Sequence, residues 1–238
     1  MADLIRLDHY IAECGIASRK QATALIRAGA VCVNGEIVKS PGLKIEVTDS
    51  VTCNGTKLTY ERFVYYCLNK PAGVVTATKD NLSKTVMELL KGVNTKGLFP
   101  VGRLDKDTEG MLLITNDGDL CHELMAPRKH VRKTYYVISD GMLTDEDLDS
   151  LRNGIDIGDD RPCLPCTISY LGPVDSNYSY ELTITEGRFH QVKRMFIACG
   201  KTVVFLKRTA IGGLELDEAL KVGDFKKLTC EDLDLLKE

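Results

Sequence analysis

The sequence predicts an α+β protein made of two unequal parts. Helix-like and hairpin-like patterns fill the first part, and the second mixes strand-like and helix-like runs without a regular β-α-β alternation. Such mixing favours a largely antiparallel, mixed sheet with flanking helices. With 44% hydrophobic and 27% charged residues, the 238-residue chain has enough apolar material to bury a core.

The small part begins with two predicted helices. Apolar side chains between Leu7 and Cys14 recur three and four positions apart, and Gly15 follows where a helix C-cap lies. Ser18 and Gln21 match a capping box, in which two side chains satisfy free backbone N–H groups at the start of a helix. The residues after Ser18 therefore predict a second helix.

Two Asn-Gly pairs predict tight hairpin turns after these helices. Asn34-Gly35 separates two β-branched runs, and Asn54-Gly55 marks a second turn. Residues 59–63 are predicted to form a linker. We therefore predict one domain at 1–58 and another at 64–238.

The larger part contains buried strand-like runs separated by turns. The segment Asn116-Asp117-Gly118 predicts a turn at the end of one such run. Strands are predicted at 64–68, 74–77, 111–115, 134–138 and 180–184, and helices at 85–90, 143–151 and 191–199.

The net charge by itself argues against nucleic acid as a partner. Lys and Arg number 31 against 34 Asp and Glu, which gives −3 at pH 7. The charges are segregated, however. Residues 126–136 hold four basic residues and no acid, residues 186–208 hold six and one, and residues 140–161 hold eight acids and two arginines. This segregation predicts a local basic groove on an acidic protein.

Membrane, secreted and metal-binding classes are not indicated. No apolar run approaches the roughly 18 residues of a membrane helix, and the charged start of the chain has no signal-peptide core, so we expect a cytoplasmic protein without a membrane partner. The nine cysteines are scattered, mostly in apolar company. Cys163 and Cys166 have metal-ligand spacing but lack a second pair, and nucleotide-binding motifs are missing. Neither a metal nor a cofactor is predicted.

An acidic loop before the apolar run at 111–115 is the candidate for chemistry. Asp105, Asp107 and Glu109 occupy alternate positions in it. By residue type they suit a metal site, a general acid–base pair or a solvated turn. The calcium-loop pattern fails because glycine is missing at the required position. Loops carried by rigid strands often hold catalytic groups, so the alternatives stay open at this point.

The loop resembles the catalytic signature of the pseudouridine synthases. Residues 102–118 match "G-R-L-D-x-D-T-x-G-L-L-(L/I)-x-T-(N/D)-D-G" almost without interruption, with Met111 in place of a leucine. Further motifs of that family occur in the same order, at 69–73 ("N-K-P-x-G"), 133–135 and 186–196. The resemblance covers nearly the whole chain and implies an enzyme with that family's catalytic domain.

The resemblance also implies roles for three side chains. Asp105 falls on the essential catalytic aspartate, Tyr135 on the tyrosine that packs against the target base, and Lys193 on the cation that pairs with the aspartate. Such an enzyme breaks the bond between uracil and ribose, rotates the base and rejoins it through carbon 5. No redox change occurs, so no cofactor is implied. Asp105 is expected to act ionised beside Lys193, either as nucleophile or as base.

The first part resembles the RNA-binding domain first seen in ribosomal protein S-four, whose hairpin carries "V-x-V-N-G". Residues 31–35 match that string. The fold class implied is a small αα-β RNA-binding domain followed by a pseudouridine synthase domain. Basic residues on or near its two helices are candidates for phosphate contacts, although ordinary solvated helix charge is the alternative. They are Arg6, Arg19, Lys20 and Arg27.

Within the family, the string Gln191-Val192-Lys193 and the tail at 203–213 look most like the RsuA-type branch, which acts on 16S small-subunit rRNA. The implied partner is 16S rRNA or an assembling small ribosomal subunit, and we expect a monomer. Three alternatives are weighed against this hypothesis: a related synthase acting on large-subunit (23S) rRNA, a non-catalytic ribosome assembly factor, and an aspartate-based glycosidase. The intact site residues speak against the second, and the RNA-binding module speaks against the third.

RNA contacts are also predicted around the active site, because the target uridine must leave its stack. Arg103 is expected to fill the vacated space or to hold a phosphate, and His190 either contacts phosphate or packs. The remaining candidates are the basic residues near two of the motifs, namely Arg128, Lys133, Arg188 and Arg194.

Overall fold

The computed structural model of the chain describes residues 4–237, apart from the side chain of Pro127. It forms two compact units, one ending at Phe63 and the other starting at Val64.

The small unit holds two helices and six short strands. The elements are β1 (Leu4–Arg6), α1 (Leu7–Glu13), α2 (Arg19–Arg27), β2 (Val31–Val33), β3 (Glu36–Ile37), β4 (Lys44–Glu46), β5 (Val51–Cys53) and β6 (Thr56–Lys57). Strands β3-β2-β5-β6 form an antiparallel sheet, and β1 pairs with β4. Both predicted helices and both predicted hairpins are present, whereas β1 and β4 had not been predicted.

Local chemistry explains these elements. The Ser18 hydroxyl accepts a hydrogen bond from the Gln21 backbone, and the Gln21 side chain accepts one from the Ser18 backbone at 2.9 Å, so the predicted capping box is confirmed. The turn residues Asn34 and Gly35 have φ values of 52° and 89°. Two successive positive φ values define the turn type that matches the twist of a tight hairpin, and Asn-Gly is the pair that adopts it most readily.

The core of the small unit lies between its helices and its sheet. Leu7, Ile11 and Ile26 are fully buried there. The ring of Tyr60 stacks on that of Tyr10, with centroids 5.1 Å apart. Part of the predicted linker at 59–63 therefore packs on the small unit.

The larger unit is built on one nine-stranded sheet. Its strands are β7 (Tyr65–Lys70), β8 (Phe99–Pro100), β9 (Glu109–Thr115), β10 (Lys133–Ser139), β11 (Thr167–Val174), β12 (Asn177–Ile184), β13 (Val203–Ile211), β14 (Leu214–Glu215) and β15 (Phe225–Lys227). They follow the order β11-β12-β10-β13-β9-β7-β15, and β14 pairs with β13 and β8 with β9. In the described part of the chain the strand pairs are antiparallel except β13 with β9. The α+β prediction with a largely antiparallel, mixed sheet is confirmed.

Helices flank this sheet: α3 (Gly118–Met125), α4 (Asp145–Asn153), α5 (Gln191–Ala198) and α6 (Cys230–Leu235), with short 3₁₀ turns at Val86–Leu89 and Pro127–Lys129. No helix within residues 4–237 is long and apolar enough to cross a membrane.

Two predictions about local structure were wrong. The strand expected at 74–77 is reduced to a single bridge between Val75 and Thr85. The turn expected at 116–118 is instead the start of α3. The Asp117 carboxylate accepts hydrogen bonds from the backbone N–H groups of Asp119 and Leu120 at 3.0 and 3.1 Å, and this cap starts a helix where only a turn had been predicted.

Strand β9 is buried on both faces. Leu112 and Ile114 belong to one hydrophobic cluster, which also includes residues of β10, β12 and α5, whereas Met111 and Leu113 belong to a second cluster with α3. A strand with two buried faces has a continuous apolar sequence, as seen here. The acidic loop before β9 is therefore attached to an interior strand of the sheet.

Candidate active site

A cavity of about 550 Å³ in the larger unit contains the acidic loop on one side. The other walls come from β10, β13 and the segment leading into α5. Side chains that line it include Arg103, Asp105, Lys133, Tyr135, Phe189, His190 and Arg208. The motifs at 102–118, 133–135 and 186–196 thus meet around one cavity, although they are far apart in the chain.

A buried lysine holds the acidic loop in place. Lys70, at the end of β7, is completely buried. Its ammonium donates hydrogen bonds to the backbone carbonyls of Asp105 and Thr108, at 3.1 and 2.8 Å, as well as to those of Pro71 and Lys106. Burial lowers the pKa of Lys70 to about 8. This lysine lies in the motif at 69–73, but no role could be predicted for it from the sequence.

Gly110 lets strands β9 and β13 approach each other directly behind the loop. Its φ is +98°, and a Cβ atom placed there would overlap the carbonyl oxygen of Arg208. Any side chain at this position would push the strands apart. The glycine therefore sets the distance between the acidic loop and β13.

Two carboxylates share one ammonium at the cavity. Lys193 Nζ lies 3.3 Å from Asp105 Oδ2 and 2.6 Å from Asp107 Oδ1. The hydrogen bond from Lys193 is the main reason why the pKa of Asp107 is lowered. His190 Nε2 lies 3.5 Å from the other oxygen of Asp105. The predicted contact between Lys193 and Asp105 is thus present, whereas the shorter one to Asp107 had not been predicted.

The turn before α5 orients the side chains of His190 and Lys193. His190, the residue preceding the helix, has a left-handed backbone with φ of 48°, and its ring stacks on that of Phe189 with centroids 3.8 Å apart. The side chain of Gln191 donates to Glu186 at 2.7 Å and accepts from the backbone N–H of Arg188 at 2.9 Å. This buried polar bracing fixes the direction in which α5 starts, and so the place of Lys193 on its first turn.

Tyr135 is both a core residue and part of the cavity wall. Its side chain is buried with the main hydrophobic cluster, yet it lines the cavity. Across the sheet its Cα partner is Arg208 on β13. Lys133 lies two residues before Tyr135 on the same strand and lines the same cavity, as expected for side chains that alternate between faces.

Lys133 and Arg208 form the floor of the cavity. Both are buried, at 7% and 2% exposure. The Lys133 ammonium donates to the carbonyl of Val131 at 2.9 Å, and Arg208 Nε donates to the carbonyl of Met111 at 2.8 Å. Burial, together with the charge of Arg208, lowers the pKa of Lys133 to about 8. Lys133 is predicted from the sequence to contact RNA, whereas no role was predicted for Arg208.

Arg188 and Arg194, for which phosphate contacts are predicted, make contacts within the protein. The Arg188 guanidinium donates to the carbonyls of Arg161 and Pro162, both at 2.7 Å. Arg194 donates to the carbonyl of Ile157 at 2.6 Å. Both arginines also pair with Asp159. These guanidinium groups hold the segment around Asp159 against the turn before α5, and their contact with RNA stays a prediction.

The other predicted contact residues are on the surface. Arg103 is exposed at the cavity mouth, and Arg128 is exposed on the 3₁₀ turn after α3. Lys20 and Arg27 are exposed on α2.

In the small unit, Arg6 and Arg19 are directed toward protein. Arg6 pairs with the carboxylate of Asp8 at 2.8 Å, and Arg19 lies 3.5 Å from it. The hydrogen bond from Arg6 lowers the pKa of Asp8.

Metal ligation is not suggested by this arrangement. Throughout residues 4–237 there is no group of three or more His, Cys, Asp or Glu side chains that could hold an ion. The cavity instead combines a carboxylate paired with a cation, an aromatic wall and a basic floor, which suits a polar aromatic ring attached to a sugar.

Family models match both units of the chain. Residues 64–198 match the RNA pseudouridylate synthase family, and residues 5–51 match the S4 domain. This chain belongs to the RNA pseudouridylate synthases. The match of the synthase family spans Asp105 and Tyr135, which line the cavity, and Lys193, which contacts Asp105.

Curated relatives of the synthase match it over nearly its full length. An uncharacterised RNA pseudouridine synthase of Bacillus subtilis is 42% identical, covering 98% of this chain and 99% of its own. A ribosomal small subunit pseudouridine synthase A of Haemophilus influenzae is 38% identical, with coverage of 98% and 99%. A ribosomal large subunit pseudouridine synthase B of Bacillus subtilis is 39% identical, with coverage of 98% and 95%.

A solved structure described as a pseudouridylate synthase is also similar to the synthase. It is 38% identical and superposes with a TM-score of 0.68, covering 98% of this chain and 99% of the other. The domain order and the fold of the catalytic unit therefore agree with those of a known enzyme of the family.

Proposed function

We propose that this enzyme isomerises one uridine of 16S small-subunit rRNA to pseudouridine, with Asp105 as the catalytic residue. The observation that carries the proposal is the contact of Asp105 with Lys193 at 3.3 Å on the wall of a cavity that also contains Tyr135. A carboxylate with its counter-ion and an aromatic wall at one cavity support the binding and isomerisation of a nucleoside there.

Each group has a task in this proposal. The Lys193 ammonium lies beside one oxygen of the Asp105 carboxylate and acts as its counter-ion, and His190 lies beside the other oxygen. Tyr135 packs against the flipped base, a contact worth about 1–3 kcal/mol. Lys70 positions the loop through its backbone, so Asp105 needs no adjustment when the nucleotide arrives.

The choice of 16S rRNA depends on details of sequence. Relatives named for the small and for the large subunit match the chain to nearly the same identity, so identity does not choose between the two RNAs. The string Gln191-Val192-Lys193 and the tail at 203–213 support the small-subunit target. Lys193 is also the residue that contacts Asp105.

The test is to incubate the purified full chain with under-modified 16S and 23S rRNA and to map pseudouridine by carbodiimide treatment and primer extension. We expect one new site in 16S rRNA and none in 23S rRNA. Product in 23S rRNA alone would contradict the 16S target but would still show that the enzyme forms pseudouridine. Asp105→Asn is the matched control, because it removes the charge with little change in volume. We expect its rate to fall by about 10³-fold, and a variant with normal product would contradict the role of Asp105.

A further inference from the structure

The floor of the cavity carries two cations that the roles assigned so far do not use. Lys133 and Arg208 are both more than nine-tenths buried. Within residues 4–237, Arg208 Nη2 has no hydrogen-bond partner, although it is buried. The neighbouring charge that acts on the Lys133 ammonium is that of Arg208, which has the same sign.

Such a pair is costly for the free protein. A buried N–H group without a partner costs about 1–3 kcal/mol, and more if it is charged. Two like charges in a poorly solvated place add repulsion. Asp105 lines the same cavity, but its two oxygens contact His190 and Lys193 and not the two cations of the floor. The floor is therefore suited to a ligand that brings negative charge or strong acceptor oxygens.

The position of the floor indicates which part of a nucleotide would reach it. Arg208 is the cross-strand Cα partner of Tyr135, and Lys133 lies two residues from Tyr135 on the same face of β10. A base packed against Tyr135 would therefore present its edge to both cations. The ribose would remain on the side of Asp105, where the sugar must react.

Building on the proposed function, we propose that Lys133 and Arg208 bind the ring oxygens of the target uracil and stabilise the negative charge that develops on the base when it leaves the ribose. When the bond between C1′ and N1 breaks, its electron pair goes to the base, and the charge spreads over N1 and the two carbonyl oxygens. The sugar compensates either by a new bond from C1′ to the Asp105 carboxylate or by loss of its C2′ proton to that carboxylate.

The two cations remain unchanged through the rest of the reaction. The released uracil anion rotates between Tyr135 and the floor, and its C5 atom then forms the bond to C1′. If the carboxylate had bonded to C1′, it leaves C1′ at this step. If it had taken the C2′ proton, it returns that proton to C2′. The C5 proton moves to N1, so no atom is gained or lost. Donors that keep facing the ring oxygens would keep the detached base from escaping.

A backbone phosphate is the other source of negative charge in RNA. Phosphates lie on the outside of a nucleotide strand, and the exposed Arg103 is available to them at the mouth. The low exposure of Lys133 and Arg208 favours the base over a phosphate. The two sources differ in the step they affect, because a phosphate contact contributes mainly to RNA binding, whereas a contact to the leaving base contributes to the rate.

The experiment compares the full-length enzyme with Lys133→Met and Arg208→Lys on a transcript of the rRNA region that it modifies. We expect the single-turnover rate to fall about 10²-fold in Lys133→Met, while the Kd for the transcript changes less than twofold, as for loss of a donor that acts on developing charge. Arg208→Lys keeps the charge but loses the planar donor pair, and we expect a smaller loss. Lys207→Met is the matched control, because this lysine precedes Arg208 on β13 and lines a different surface depression.

A second substrate tests the mechanism itself. In a transcript made with 5-fluorouridine, the fluorine already stabilises the departing anion, so the rate of 5-fluorouridine consumption should fall at least fivefold less in Lys133→Met than the rate on uridine. Equal losses on both substrates, or an unchanged rate on uridine, would overturn the proposal. A weaker Kd with a shallower salt dependence and a normal rate would assign the floor to a phosphate instead.

Two controls keep these outcomes distinct. Thermal unfolding of each variant shows whether the floor has collapsed, and if Arg208→Lys unfolds early, Lys133→Met still decides the question. An unsubstituted enzyme that modifies neither 16S nor 23S rRNA would contradict the proposed function. A normally active enzyme with unaffected floor variants would contradict only this inference.

Discussion

Asp107 Oδ1 lies 2.6 Å from the Lys193 ammonium, closer than any other carboxylate in the described part of the chain. The side chain of Asp107 is 74% exposed, whereas that of Lys193 is 20% exposed. Because Asp105 contacts the same ammonium at 3.3 Å, two carboxylates share the single positive charge of Lys193. Asp107 thus sets the position of the cation that Asp105 is proposed to need.

A double-mutant cycle tests this shared cation. Lys193→Met leaves two carboxylates without their common partner, and we expect the single-turnover rate to fall about 10²-fold. Adding Asp107→Asn removes one of the two charges, so the double variant should recover about tenfold relative to Lys193→Met alone. A double variant that is slower than Lys193→Met would show that Asp107 does more than compete for the ammonium. Asp107→Asn alone is the required fourth corner of the cycle.

Because of Lys70, the free energy of unfolding of the protein is expected to change with pH in the alkaline range. Its folded-state pKa of about 8 lies below the value of 10.5 expected after unfolding, so between these values the unfolded chain binds more protons than the folded one. Stability contributed by this group therefore rises with pH from about 8 to 10.5 and is constant below 8. The free energy of unfolding, measured with urea, should rise with pH across this window in the wild type relative to Lys70→Met. A difference independent of pH would contradict the lowered pKa.

Gly110→Ala should destabilise the larger unit strongly, because the new Cβ would overlap the Arg208 carbonyl oxygen at a φ of +98°. We expect the free energy of unfolding to fall by about 3 kcal/mol or more. Gly158→Ala is the matched control, since Gly158 also has a positive φ, of +79°, but a methyl group added there would meet nothing within 4 Å. Its cost should be about 1–2 kcal/mol, the value for backbone strain alone. Equal losses in urea unfolding would show that the close approach of the strands is not what requires glycine.

Phe189 is expected to provide a stacking surface for RNA at the mouth of the cavity. Its side chain is 69% exposed although it is apolar, and it lies flat against His190. Phe189→Ala should raise the Kd for the rRNA transcript about tenfold with little change in single-turnover rate, and Phe189→Tyr should restore binding. Leu82→Ala serves as a control, since Leu82 is also exposed and apolar but does not line the cavity. Similar affinities for Phe189→Ala and the wild type would exclude a stacking role.

Helices, hairpins and strands that are determined by short stretches of sequence could be predicted. The hairpin at Asn34-Gly35 and the helix that starts at Ser18 follow from local backbone preferences, and both are present. The apolar run that forms β9 was also found, because a strand buried on both faces has an unbroken apolar sequence. Helix α3 was missed because the same Asp117 that suggests a turn also caps a helix.

Roles that depend on distant contacts could not be predicted from residue spacing. Arg208 donates to a carbonyl 97 positions earlier in the chain, and nothing near it in sequence signals this burial. Arg194 was expected to contact RNA because it is basic and lies in a motif, yet its partner Asp159 is 35 positions away. For such residues only the folded arrangement distinguishes a ligand contact from an internal one.

The ammonium of Lys70 joins two motifs that are separate in the chain, one at the end of β7 and one in the acidic loop. The acidic loop consequently cannot be moved to another protein by itself. A sheet without β7 and its terminal lysine would lack the donor that contacts three backbone carbonyls of the loop. The two motifs would have to be transferred or redesigned together.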